Sequence, residues 1–179
     1  MEKIISNSGT EDKCFFINQN LNLAGYIDYG YFQVNIDLFS ESQKHHTFFN
    51  RKAIITKDLN VKNHLLQQEV FGNLKEQSLY QIINRQDFQE FWFVHKENID
   101  VCKDCELRHM CIDPRVPHKR NDNSWYHEDE CNYNPYIAKW VGEPNYLTLE
   151  QSGIISNNKV SYIDYQKLND VFSMLYGFE

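Results

Sequence analysis

Three thiols fall within ten positions of this sequence: Cys102 and Cys105, two residues apart, and Cys111 after five more. The Cys102-x2-Cys105 spacing lets a tight turn present both sulfurs to one metal, and Cys111 can return a third from the opposite side. A fourth ligand has to come from the remaining cysteines, Cys14 and Cys131. Cys131 lies beyond a nineteen-residue loop from Cys111 and can complete a four-thiolate shell. Tetrahedral sulfur ligation suits zinc or an iron-sulfur cluster, so spacing alone leaves the metal open. Zinc ribbons present two C-x2-C knuckles, and a chain with one fits that template only in part. The bland alternative, reduced buried cysteines without metal, is uncommon for such a run. Cys14 is then the surplus thiol and reads as a small buried hydrophobe.

The thiol loop needs elements on both sides to hold it. Tyr31 to Phe39 alternates, with Phe32, Val34, Ile36 and Leu38 on one face, and predicts a strand. Lys52 to Asn63 predicts a hairpin around Asp58, Leu59 and Asn60, a turn without the usual glycine. Ser78 with Gln81, and Asp87 with Glu90, have capping-box spacing. The apolar sets that follow (Leu79, Ile82, Ile83 and Phe88, Phe91, Trp92) stand nine residues apart, half a circle on a straight helix. Two short helices with a break near Gln86 are therefore expected. From Asp164 to Tyr176, the helical spacing of Tyr165, Leu168, Val171, Phe172 and Leu175 predicts a last helix, with Gly177 as its stop. Its stripe is more simply core than a face for a partner.

The expected fold is α+β: N-terminal strands and a β-hairpin, short helices, a Cys-ligated metal loop and a C-terminal helix. The divisions are 1–50, an N-terminal β-rich region; 51–140, a metal-binding domain; and 141–179, a C-terminal helical extension packed on it as one structural unit.

Composition narrows the function classes. A chain of 179 residues, 41% hydrophobic and 15% aromatic, supports one core with a small appended subdomain. No run approaches eighteen apolar residues, and the opening MEKIISNSGTEDK has no apolar signal region, which predicts a cytoplasmic protein without membrane association. In that reducing compartment closely spaced cysteines point to metal rather than disulfides. The net charge of −7 argues against nucleic acid as a partner. The short basic run of Arg115, His118, Lys119 and Arg120, followed by Glu128, Asp129 and Glu130, reads as a solvated charged loop.

The run Cys102-x2-Cys105-x5-Cys111, with CELRHMC and the later CNYNPY followed by a tryptophan, resembles the C-terminal part of the SPASM domain. That domain follows radical S-adenosylmethionine (SAM) domains in peptide-modifying enzymes, and the likeness is to the grasp-with-spasm type. It extends through NRKAIITKDLNVKNH, FGNL and FQEFW, from about Gln33 to the C-terminus, so that 51–140 is the SPASM-like part. The resemblance implies one 4Fe-4S cluster, or alternatively Zn, held by Cys102, Cys105, Cys111 and Cys131. Such domains typically carry seven cysteines and two clusters. Here the positions of the first cluster hold Phe48 or Phe49, His64 and Arg115, and Leu59 stands at the hairpin glycine. The resemblance thus implies a one-site version. A remnant first site using Cys14 and His64 would be poorly closed, and His64 is more simply a surface or packing histidine.

The radical SAM signature C-x3-C-x2-C is absent from the sequence, as are G-x-S-x-G, a Walker loop, H-E-x-x-H and a Gly-rich dinucleotide fingerprint. No catalytic residue is assigned. The resemblance implies a metal-bearing module in ribosomal-peptide (RiPP) maturation that binds a precursor peptide, a partner maturase or an ATP-grasp ligase. One alternative is the C-terminal part or a subunit of a radical SAM peptide maturase, its cluster having a redox or substrate-binding role. Another is a structural zinc-binding interaction domain.

Overall fold

The computed structural model describes residues 3–6, 13–16, 30, 32–65 and 67–177. β1 (Lys3–Ser6) and β2 (Lys13–Phe16) form an antiparallel hairpin in which Cys14 stands opposite Ile5. The expected burial of the Cys14 side chain lies outside the described residues, and so does Tyr31.

Where alternation predicts a strand over 31–39, the chain forms a helix, α1 (Ile36–Ser42). Asn35 decides the outcome: its side-chain oxygen accepts from the Leu38 N–H at 2.7 Å, and Asp37 adds an acid to the first turn. The alternating set has no sheet to bury it, since Val34 and Ile36 are 84% and 72% exposed while Leu38 is buried. Among the described residues of the expected strand, Phe32 makes an isolated antiparallel bridge to Cys111, and the Gln33 N–H donates to Met110 O at 2.8 Å.

The predicted hairpin is present as β3 (Ile54–Ile55) and β4 (Asn60–Lys62), joined by a third antiparallel strand, β5 (Gly72–Asn73). Ser78 and Gln81 cap α2 (Leu79–Ile83) reciprocally, as their spacing predicts. The helix stops at Asn84; of the second apolar set, Phe91 and Trp92 lie in a single 3₁₀ turn, Glu90–Phe93, without a side-chain cap, and Phe88 lies in the turn before it. Asp87 does not cap it because its carboxylate binds Arg85 and the Phe88 N–H. The break brings the two sets into one core: Val61, Phe71, Ile82 and Phe88 are buried together, with Leu74, Ile83 and Trp92 against them.

Beyond the thiols the chain runs through three small antiparallel hairpins. They are β6 (His118–Lys119) with β7 (Trp125–Tyr126), β8 (Tyr133–Asn134) with β9 (Lys139–Trp140), and β10 (Ile154–Ser156) with β11 (Ser161–Ile163). α3 (Tyr165–Tyr176) follows, capped by Asp164 and ended by Gly177 at φ 66°. Leu168 and Val171 of its stripe are buried, whereas Tyr165 is 69% exposed. A second core joins Leu149, Ile154 and Leu168, with Val101 and Tyr136 packed against it. The C-terminal helix thereby rests on the residue that precedes the first thiol. The fold is α+β, and among the described residues no helix is long and apolar enough to cross a membrane.

Candidate metal centre

Backbone bonds fix the start of the thiol loop. The Asp100 N–H donates to Trp125 O of β7 at 2.9 Å, and Ile99 bridges to Trp125. Val101 then turns the chain with φ 67° and ψ −50°, a conformation that a β-branched residue rarely adopts. Packing of its side chain on the second core offsets that strain. Cys102–Asp104 forms a 3₁₀ turn, and Cys105 N–H closes on Cys102 O at 3.1 Å. Two more tight turns, with Arg108 N–H on Cys105 O and Met110 N–H on Leu107 O, bring the chain back to Cys111. Cys111 is held by its bridge to Phe32 and by the Thr47 hydroxyl, which donates to its carbonyl at 2.7 Å.

Cys131 arrives from the far side, just before β8, and its sulfur accepts from the Tyr133 N–H at 3.4 Å. Asn134 locks that approach, donating to Leu147 O and Ser152 Oγ, both at 2.9 Å. Tyr133 and Tyr136 tie it to the first knuckle through hydrogen bonds to Glu106 and Asp104. As a result Cys102, Cys105, Cys111 and Cys131 all line one cavity of about 100 Å³, several times what one water requires.

A buried charge network stands behind Cys102. Asp113, fully buried, is gripped by Lys96 and, through two bonds of 3.0 and 2.7 Å, by Arg115. Both cations also face the Cys102 sulfur, Arg115 Nη2 at 3.7 Å and Lys96 Nζ at 3.9 Å. Arg115 Nη1 reaches across to Asp129 O at 2.7 Å and so ties the knuckle to the Cys131 loop. His127 donates from Nδ1 to Val116 O at 3.2 Å and turns Nε2 toward the network, 3.3 Å from Asp113 Oδ2 but poorly aligned for a hydrogen bond.

The thiols therefore differ. Burial alone would raise Cys102, but Lys96, His127 and Arg115 overcome it and bring this thiol down to about 6. Burial pushes Cys105 and Cys111 up to about 12 and raises Cys131 as well. Asp113 would also be raised by burial, yet Arg115 and Lys96 hold it well below the usual carboxylate range. The surrounding charges thus favour the thiolate at Cys102, whereas burial disfavours it at the other three.

The donor set fits an iron-sulfur cluster, which takes four Cys thiolates. A single zinc with sulfur ligands at about 2.3 Å would keep every sulfur pair about 3.8 Å apart. Among the described residues the ligand atoms found within 4.8 Å of one another are those of Cys102, Asp113 and His127, a group with one thiol. That trio is no metal cage, because Asp113 is already neutralised by two cations that would repel a divalent ion. The four thiols that line the cavity are the donor set that either a cluster or one zinc would use.

Sequence reasoning misses this network. Arg115 and Arg120, read as part of a solvated loop, are both buried. Arg120 pairs with Asp100 at 2.5 Å, donates to Asn157 O at 2.7 Å and stacks over Tyr126. Lys119 and His118 keep the expected character, facing Glu90 at 3.3 Å and Glu128 at 4.0 Å. Of the positions that the resemblance assigns to a first cluster, Arg115 belongs to the Asp113 network and the others are filled by rings: Phe49 and His64 are buried and packed at 5.8 Å, with His46, Phe48 and Phe91 around Phe49. His64 is a packing residue. Leu59, at the hairpin's glycine position, adopts φ 65°, the conformation for which glycine is suited.

Residues 56–106 match the family model of SPASM, an iron-sulfur cluster-binding domain. No curated protein and no solved structure matches the chain. The matched stretch runs from the turn of the β3–β4 hairpin through the buried residues of the first core and includes Cys102 and Cys105. Over residues 56–106, which include two of the four candidate thiols, the chain is similar to the SPASM iron-sulfur cluster-binding domain.

Proposed function

We propose that the chain holds one 4Fe-4S cluster on Cys102, Cys105, Cys111 and Cys131 and acts in the cytoplasm as a SPASM-like module of ribosomal-peptide maturation. The observation that carries the metal assignment is the convergence of these four thiols on one cavity backed by buried cations. When bound, such a cluster would supply a rigid cross-link and a one-electron couple. The chain's own residues hold the thiols, and Lys96 and Arg115 balance the negative charge that four thiolates bring into the interior.

The pathway rests on the SPASM domain and on the resemblance to peptide maturases. On this reading the cluster fixes the 101–131 loop, and the surface so formed engages a precursor peptide, a partner maturase or an ATP-grasp ligase. A second reading, a redox or substrate-binding subunit of a radical SAM maturase, is favoured by the cavity lining, which includes the exposed Glu128, Asp129 and Glu130. Electrons or a substrate can reach the site along that side. Replacing the chromosomal gene in its source strain by Cys111→Ser tests both. Loss of a modified peptide, with the variant protein still present, supports a maturation role; an unchanged peptide profile contradicts it.

A further inference from the structure

Lys96 and Arg115 share the carboxylate of Asp113, so two cations meet one anion beside Cys102 and leave a positive surplus. All three side chains are nearly sealed from water, at 3%, 6% and 0% exposure. Charges in such a place act through a low effective dielectric and are little screened by salt. Both cations point N–H groups at the Cys102 sulfur, at 3.9 and 3.7 Å. No such hydrogen bond from either cation is found at the other sulfurs among the described residues, where Lys96 and Arg115 act on Cys111, and Arg115 on Cys131, through charge alone; Cys131 accepts one backbone N–H, and Cys111 is fixed through its carbonyl. The surroundings are therefore uneven: the two buried cations stand nearest the Cys102 sulfur, Arg108 lies on the Cys105 carbonyl, and the exposed Glu128, Asp129 and Glu130 line the Cys131 side.

We propose that Lys96 and Arg115 set the reduction potential of the centre, favouring its one-electron-reduced form through fixed positive charge on the Cys102 sulfur, with Asp113 opposing them. This rests on the iron-sulfur reading above. Hydrogen bonds to cluster sulfurs and local net charge are established controls of such potentials. Reduction adds one electron to the oxidised cluster, and no bond forms or breaks. Dithionite supplies that electron through its sulfur dioxide radical anion, which is oxidised and leaves as sulfite. No proton moves on Lys96 or Arg115, since their charge is constant across the couple.

The opposed signs within the network make the test. The full chain, purified without oxygen, is titrated with dithionite while its visible spectrum and electron paramagnetic resonance signal are recorded, for wild type, Lys96→Met, Arg115→Met, Arg115→Lys and Asp113→Asn. Removing either cation shifts the midpoint to more negative values, and Asp113→Asn shifts it to more positive values. Arg115→Lys keeps the charge and holds the midpoint near wild type. Iron-replete variants with unmoved midpoints, or with shifts of one sign whether a cation or the anion is removed, overturn the proposal. If the Met variants lose their iron, Asp113→Asn and Arg115→Lys carry the test by the same signs. Loss of iron from every variant makes the network a folding element alone and also overturns it. A wild-type protein without iron overturns the iron-sulfur reading instead.

Discussion

Leu59 pays a backbone penalty that a glycine would avoid. A non-glycine residue in the left-handed region costs about 1 kcal/mol or somewhat more, and Leu59 recovers little by burial because it is 37% exposed. Leu59→Gly is expected to stabilise the protein by about 0.5–1 kcal/mol, since the added freedom of the unfolded chain offsets part of the relief. Chemical denaturation measures this, and a destabilised variant would show that Leu59 packing matters more than its φ. Arg120 behaves oppositely. It is buried between Asp100 and the β10–β11 hairpin, so Arg120→Ala leaves the buried Asp100 carboxylate with Lys103 as its remaining ion-pair partner and should cost about 1–3 kcal/mol. His46 gives a pH signature. Burial, with Lys96 adding, lowers its pKa well below 6.5, and its Nδ1 accepts from the Phe48 and Phe49 N–H groups. The unfolded chain binds this proton below about pH 6.5 while the folded chain resists it, so stability declines as pH falls below that value. His46→Ala should flatten that acid slope, read from melting temperatures between pH 7 and 5. At this scale the thiols were legible because their spacing is specific. Lys96, Asp113, Arg115 and His127 were not, because a charged residue is normally solvated and only the fold reveals that these four are enclosed.

The elements show where local pattern wins and where it loses. Ser78 and Gln81 formed their reciprocal cap because nothing competed for either side chain. Asp87 had the same spacing to Glu90, but Arg85 two residues earlier took its carboxylate. Over 31–39 two signals overlapped, an alternation of apolar residues and an Asn35 cap three residues before Leu38, and the cap prevailed where no neighbouring strand was offered. β5 went unseen since a two-residue strand has no period to read. It matters to packing all the same: a Cβ at Gly72 would lie 2.8 Å and 2.9 Å from carbons of Ile82, which is fully buried in the first core. Gly72→Ala should therefore destabilise by about 1–3 kcal/mol, as overpacking does, and Gly72→Ala with Ile82→Val should recover part of that loss. Full additivity of the two changes would argue against the contact.

As a whole molecule the chain is assembled from small pieces. Among the described residues its sheets have two or three strands, and the buried apolar clusters comprise four and three residues. Such a body has modest hydrophobic stabilisation, and the loop from Val101 to Cys131, which contains β6 and β7, is tied to α3's core through Val101, to Ile99 and Asp100 through Trp125 and to α1's neighbour Phe32 through Cys111. Metal ligation at that junction would be folding free energy on the order of 10 kcal/mol. Hydrogen exchange on metal-stripped protein should show the 101–131 loop opening first, with loss of protection spreading to α3 through Val101 and Tyr136 rather than to the Phe71–Phe88 core. Protection lost evenly across both cores would contradict this order.

The central claim is that Cys102, Cys105, Cys111 and Cys131 together hold one iron-sulfur cluster. The direct measurement is iron, acid-labile sulfide and zinc per chain in protein purified without oxygen, for wild type and for the four single Cys→Ser variants. About four irons and four sulfides per chain, the content of one cubane, falling sharply in each variant, is the expected result. A colourless wild-type protein with about one zinc, or an iron content that survives loss of Cys111 or Cys131, would contradict it.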